Sequence, residues 1–176
     1  DQFRGRRILD VGCGLSPSGI HFAEHGAWVT FVDVVPENVE FVRRVCATKN
    51  VKCAAFLPMQ DLASLDVLGE FDFVFCCGSF IHMPLEMARM EGQALVRHLA
   101  ISGRWIELGY PKARWEREGR LAFNKWGDKT DGGAPWVEWH DLAKIRGMLA
   151  PASFEAILDF EFHNSDFNWF DLIRRT

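Results

Sequence analysis

The stretch Ile8-Leu-Asp-Val-Gly-Cys-Gly-Leu-Ser-Pro-Ser-Gly19 runs an apolar strand into a glycine-rich turn, with an acid two residues ahead of the first glycine. In an open parallel sheet, ligands bind beyond the carboxyl ends of the strands, and the first strand-to-helix turn lies there. A dinucleotide fits this turn poorly. Its Gly-x-Gly-x-x-Gly fingerprint needs a third glycine where Pro17 stands, and the ring is expected to block close helix approach. Asp10 is the second objection, because a carboxylate beside the turn repels a pyrophosphate and favours an ammonium or sulfonium group. The ligand is expected to carry positive charge at this end.

Other residues could do chemistry, and each has a plainer alternative. His82, in Ser79-Phe-Ile-His-Met-Pro84, falls on the rim where an acceptor would lie; its imidazole could take a proton near neutrality, or simply pack under the loop. Tyr110 touches substrate or only water. Asp33, at the tip of the second strand, is a ligand contact or a cap for the helix from Pro36; Asp61 precedes the helical segment 62–68, where it could be an N-cap. Trp115, Trp126, Trp136 and Trp139 are four of the seven tryptophans. They form either a lid enclosing an acceptor, hinged by the polar run 125–133, or packing for a helix after Pro135, and for Trp136 and Trp139 at helical spacing core packing is the better reading. His140 and His163 are scattered and no Cys-x-x-Cys pair occurs, so no metal is expected.

These residues need a frame. Apolar runs at 7–11, 28–32, 51–56, 71–77 and 104–108 alternate with helical patterns, which predicts a parallel α/β sheet covered on both faces. One helix starts at Pro36, buries Val39, Val42, Val45 and Cys46, and stops near Asn50; a second runs from Pro84 through Leu99 to Gly103. The stretch 109–135 has no period, a helix is expected over 136–149, and 154–163 with 167–173 forms an antiparallel hairpin turning at Asn164-Ser-Asp166.

The chain as a whole narrows the partners. At 176 residues and 48% hydrophobic content it suits one domain, with a lid-like insertion near 110–149. A net charge of −4 and no basic patch disfavour nucleic acid and anionic membranes, and no window is apolar enough to span a bilayer. The five cysteines, 13, 46, 53, 76 and 77, suit reduced thiols of a cytoplasmic protein. Asp1 stands where a chain would begin with Met, so the sequence is expected to be a piece of a longer protein whose other domains could be partners.

S-adenosylmethionine, with an ammonium, a sulfonium and an adenosine, meets the charge requirement. Asp10-x-Gly12-x-Gly14 followed by Asp33 resembles the cofactor site of class I S-adenosylmethionine-dependent methyltransferases. The resemblance covers the chain except about 109–149. It implies a Rossmann-like three-layer sandwich with seven strands in the order 3-2-1-4-5-7-6, ending in an antiparallel hairpin. It further implies that Asp10 faces the methionine ammonium directly or through water, with backbone around Gly12, Cys13 and Gly14 lining that moiety. Asp33, with Val34 beside it, would accept from the ribose hydroxyls; Asp61, with Gln60 and Leu62, would lie at the adenine; Cys77, Gly78 and Ser79 would pass near the reactive methyl. Many family members carry glycine where Ser16 stands. The expected activity is methyl transfer to a small-molecule acceptor, oxygen or nitrogen before carbon, leaving S-adenosylhomocysteine, with His82 the candidate base. The family's Asn-Pro-Pro-Tyr tetrapeptide is absent, and the fourth strand closes on Cys76-Cys-Gly-Ser79.

The rivals are a nicotinamide-dependent oxidoreductase on the related fold and a non-catalytic scaffold or regulatory domain of a larger protein.

Overall fold

The computed structural model describes residues 2–52, 54–130, 134 and 136–176. Cys53 of the predicted third strand, Asp131, Gly132 and Gly133 of the polar run, and Pro135 lie outside the described residues. The elements are β1 (Arg7–Val11), α1 (Pro17–Glu24), β2 (Trp28–Asp33), α2 (Pro36–Thr48), β3 (Ala54–Pro58), β4 (Phe71–Cys77), α3 (Leu85–Val96), β5 (Leu99–Pro111), α4 (Lys112–Arg117), α5 (Phe123–Trp126), β6 (Trp139–His140), α6 (Leu142–Leu149), β7 (Phe154–Phe162) and β8 (Phe167–Arg174).

The sheet runs β3-β2-β1-β4-β5-β8-β7, with β6 paired to the end of β5. Strands β3 through β5 are parallel, while β8 returns antiparallel to β5 and β7 to β8. With the two-residue β6 set aside, this is the expected order closed by the expected hairpin. The central strands are apolar because helices cover both faces. On one face Leu9, Val11, Val74, Cys76 and Trp105 pack with α3 and α6; on the other Ile8, Val29, Phe31, Phe73 and Phe75 pack under α1 and α2.

Three expected elements differ from those observed. The helix predicted from Pro84 to Gly103 stops at Val96, and Leu99 already pairs with Phe71 in the sheet. Arg174 from β8 donates to the carbonyls of Val96 and Leu99, so a distant strand satisfies the helix end that sequence assigned to a glycine cap. Ser102, not Gly103, takes the left-handed conformation. In place of a helix over 136–149, Trp139 and His140 form β6 and α6 begins at Leu142, where the Asp141 carboxylate accepts from the Lys144 amide at 2.8 Å. The aperiodic stretch contains α4 and α5, both too short to show a helical period.

The tryptophans divide accordingly. Trp126 is fully buried and donates to Glu118 at 2.6 Å, and Trp139 lies against Trp115. Trp136, expected in the core, is 48% exposed, because its segment is not helical and a helical spacing has no meaning there. Among the described residues no helix is long and apolar enough to cross a membrane.

Candidate functional site

The site is built where β1 ends. Gly12 and Gly14 both have positive φ, 60° and 52°, a region glycine enters without strain. A side chain at Gly12 would collide with Ser79 on the loop after β4, its Cβ falling on the Ser79 Cβ, so the two loops can touch only because position 12 is bare. Ser16 follows with φ 44°, in the left-handed region that favours glycine, and Pro17 opens α1 at its first turn.

Beneath this turn Asp10 is 3% exposed, and its carboxylate accepts a short hydrogen bond from the Ser16 hydroxyl. Burial pushes its carboxyl up to about 7, partly offset by the Ser16 bond and reinforced by the charge of Asp33. Gly19 brings α1 down onto this pair. A Cβ there would overlap both the Asp10 carboxylate and the Ser16 hydroxyl and come within 2.7 Å of the Phe31 ring. Pro17 therefore does not prevent close helix approach; Gly19 provides it one half-turn later.

Asp33 braces the turn from β2. It accepts from the Gly14 amide at 2.7 Å, the Val35 amide at 2.8 Å and the Asn38 side chain at 3.3 Å. Above these groups opens a cleft of about 270 Å³ whose walls include Gly12, Gly14, Asp33, Val34, Gly78 and His82. Asn38, Met59, Ser79, Met83 and Glu91 also line it, and among the described residues no Lys or Arg does.

The remaining predicted residues lie at varying distance from this cleft. Asp10 and Cys13 are not among its lining residues; Cys13 is 8% exposed behind the turn, where burial pushes its thiol up to about 12. Asp61 is exposed and forms a capping box with Ser64, accepting from its amide at 2.9 Å, and neither Gln60, Asp61 nor Leu62 lines the cleft. Cys77 instead lines a second cavity of about 250 Å³ with Gly78, His82, Gly109, Tyr110 and Phe167. Gly78 and His82 belong to both cavities, so the two spaces adjoin across the end of β4.

The second cavity is framed by the segment that sequence left without structure. Tyr110 sits edge-on to Trp126 and tilted to Phe167, with the Arg114 guanidinium 4.5 Å above its ring. Arg114 and Arg117 from α4 donate to the Asp166 and Asn164 carbonyls, tying α4 to the hairpin turn. The segment before β6 also joins this wall, as the Glu138 amide donates to the Ile81 carbonyl at 2.8 Å and His82 Nδ1 lies 3.4 Å from the Trp136 carbonyl. Deeper still, His140 Nδ1 meets Glu107, which also accepts from Trp105 Nε1 at 2.9 Å; both His140 and Glu107 side chains are fully buried.

Gly19, Met59, Glu91 and the Glu107–His140 pair went unread in the sequence. Gly19 was visible as a small residue one half-turn past Pro17, and Glu91 as an acid on the apolar face of its helix. The Glu107–His140 pair gave no signal, since 33 residues separate its members.

A methyltransferase-domain family matches residues 8–103. The chain belongs to this family. It is 31% identical over 103 residues to a ubiquinone biosynthesis O-methyltransferase of Bordetella parapertussis, covering 58% of this chain and 41% of that protein. It is 25% identical over 107 residues to a 2-heptyl-1-hydroxyquinolin-4(1H)-one methyltransferase of Mycobacteroides abscessus, covering 60% and 47%. The chain thus spans less than half the length of these relatives. Among solved structures, magnesium protoporphyrin IX methyltransferase from Synechocystis PCC 6803 with bound SAM superposes at a TM-score of 0.71 with 21% identity, over 99% of this chain and 72% of that one. At that identity the likeness establishes the shared methyltransferase fold.

Proposed function

We propose that the chain binds S-adenosylmethionine in the cleft over Gly12, Gly14 and Asp33 and methylates a small-molecule oxygen or nitrogen acceptor held in the adjoining cavity. The observation that carries this is the shared wall: Gly78 and His82 line both spaces, so a donor in one and an acceptor in the other meet at the end of β4. Three features suit the donor. The turn bends where only glycine fits against Ser79; the Ser79 hydroxyl is buried without a hydrogen-bond partner among the described residues; and carboxylates with no Lys or Arg line the cleft. Bound there, S-adenosylmethionine supplies an activated methyl group. The proposed contacts within the cleft are Asp33 and Val34 at the ribose and Gly12, Gly14 and Gly78 along the methionine; Cys13 and Cys77 would border the methionine, and Gln60, Asp61 and Leu62 the adenine, from outside the cleft's lining. Asp10 acts from behind the turn.

The chain's own residues then align an acceptor and take its proton. Tyr110 and Phe167 give the acceptor cavity two aromatic faces, which suits a ring-bearing phenol or heteroaromatic amine. The names of the O-methyltransferase and the hydroxyquinolinone methyltransferase agree with that class. The Trp136 carbonyl, 3.4 Å from His82 Nδ1, supports a tautomer in which Nδ1 donates to it. His82 is the general base in this scheme; alignment supplies most of the remaining rate. The four described cysteines are free thiols, which supports a cytoplasmic setting, and the net charge of −4 supports an acceptor other than nucleic acid.

The test is a transfer assay with methyl-labelled donor over a panel of phenols, quinolones and amines. Label in a small-molecule product supports the proposal. Donor binding with no label transferred to any acceptor favours the scaffold reading.

A further inference from the structure

Glu91 is out of place. It lies on α3 among Ala88, Gly92 and Leu95, residues of the helix's buried inner face, yet its side chain lines the donor cleft. It has no hydrogen-bond or ion-pair partner among the described residues. The other carboxylates around the site are all engaged: Asp10 by Ser16, Asp33 by Gly14, Val35 and Asn38, and Glu107 by Trp105 and His140. Burial pushes the Glu91 carboxyl up to about 7. A half-buried acid without a partner is costly, and a cationic ligand relieves that cost by pairing with it.

A second group points the same way. The Ser79 hydroxyl is buried in the same cleft without a partner among the described residues, next to Gly12. Ala88 and Leu95, on the same face of α3 as Glu91, share a core cluster with Cys76 of β4, which sets the acid on the β4 side of the cleft. With a ribose against Asp33, the amino-acid tail of the donor extends toward that β4 end.

We infer that Glu91 receives the α-ammonium group of the methyl donor, with the Ser79 hydroxyl as its second acceptor. This rests on the cleft being the donor site. It moves the direct counter-charge from Asp10, which is turned toward α1 and shielded by the glycine turn, to a residue on the opposite face of the sheet.

The experiment is calorimetric titration of the wild-type chain, Glu91→Gln and Glu91→Asp with S-adenosylmethionine, S-adenosylhomocysteine and methylthioadenosine, which keeps the adenosine and lacks the amino-acid tail. Glu91→Gln conserves size and removes an uncompensated buried charge, so the fold is retained. It is expected to weaken both tailed ligands by roughly tenfold to a hundredfold, the loss of one charge-assisted hydrogen bond, and to leave methylthioadenosine unchanged. Glu91→Asp recovers part of the loss. Unchanged affinity for the tailed ligands overturns the inference, and so does an equal loss for methylthioadenosine, which would put Glu91 at the adenine. A wild-type chain that binds none of the three overturns the donor reading itself.

Discussion

The carboxylate of Asp33 accepts a hydrogen bond from the backbone amide of Gly14 at 2.7 Å, so the tip of β2 fixes the shape of the turn that ends β1. The same carboxylate holds the start of α2 through Val35 and Asn38. Asp33→Ala removes the acceptor for all three donors and the proposed acceptor for the ribose. Donor affinity is expected to fall by about 2–3 kcal/mol, with a smaller loss for Asp33→Asn, which retains one oxygen. Calorimetry measures both, and unchanged affinity in Asp33→Ala would place the ribose elsewhere.

Gly19 sets how closely α1 approaches β1. Gly19→Ala forces a methyl into Asp10, Ser16 and the Phe31 ring, and is expected to cost about 1–3 kcal/mol of stability through overpacking. Urea denaturation reads this directly. An unaltered midpoint would mean that α1 shifts freely, and the turn would then owe nothing to this contact.

Asp10 makes stability depend on pH in a stated direction. Its carboxyl is raised to about 7 in the folded chain, so between the ordinary carboxylate range and pH 7 the folded state holds a proton that the unfolded state has lost. Its contribution is fully present below about pH 4 and is lost as pH rises toward 7, with a slope of order 1 kcal/mol per pH unit. Asp10→Asn, which does not titrate, is expected to gain stability relative to wild type from pH 5 to pH 7 and to hold that gain above. Parallel urea curves for the two proteins across this range test it, and a constant difference would contradict it.

Much of this was legible in the sequence, for identifiable reasons. The strands from Arg7, Trp28 and Phe71 are buried on both faces, so continuous apolar runs betray them, and the glycine turn betrays itself because Gly12 and Gly14 need positive φ. Asp10 carried the expectation of a cationic ligand, whereas the direction of its side chain was unreadable, because it depends on Ser16 and Gly19 packing from α1. The second cavity was unreadable for a different reason. Its walls come from Cys77, Tyr110 and Phe167, which only sheet pairing between β4, β5 and β8 brings together. The end of α3 was misplaced because Arg174, 78 residues from Val96, provides its cap.

As the proposed base, His82 is expected to bear on chemistry more than on binding. His82→Ala is expected to lower kcat by roughly a hundredfold to ten-thousandfold, the range for loss of a general base, with a much smaller change in donor affinity. Steady-state rates with an identified acceptor decide this. Normal turnover would retire the base role and leave alignment as the whole contribution.

Glu107 and His140 lock β6 onto β5. Glu107→Ala leaves His140 Nδ1 and Trp105 Nε1 buried without their acceptor and is expected to cost about 1–3 kcal/mol for each stranded donor. Denaturant midpoints would show it. A loss well below 1 kcal/mol would mean that water reaches the pair.

The measurement that tests the account most directly is parallel calorimetric titration of the purified chain with S-adenosylmethionine and with NAD. The account predicts a saturable isotherm for S-adenosylmethionine and no binding heat for NAD. Saturable NAD binding with S-adenosylmethionine silent would contradict it, because a glycine turn backed by Asp10 and faced by Glu91 would then be accepting a diphosphate.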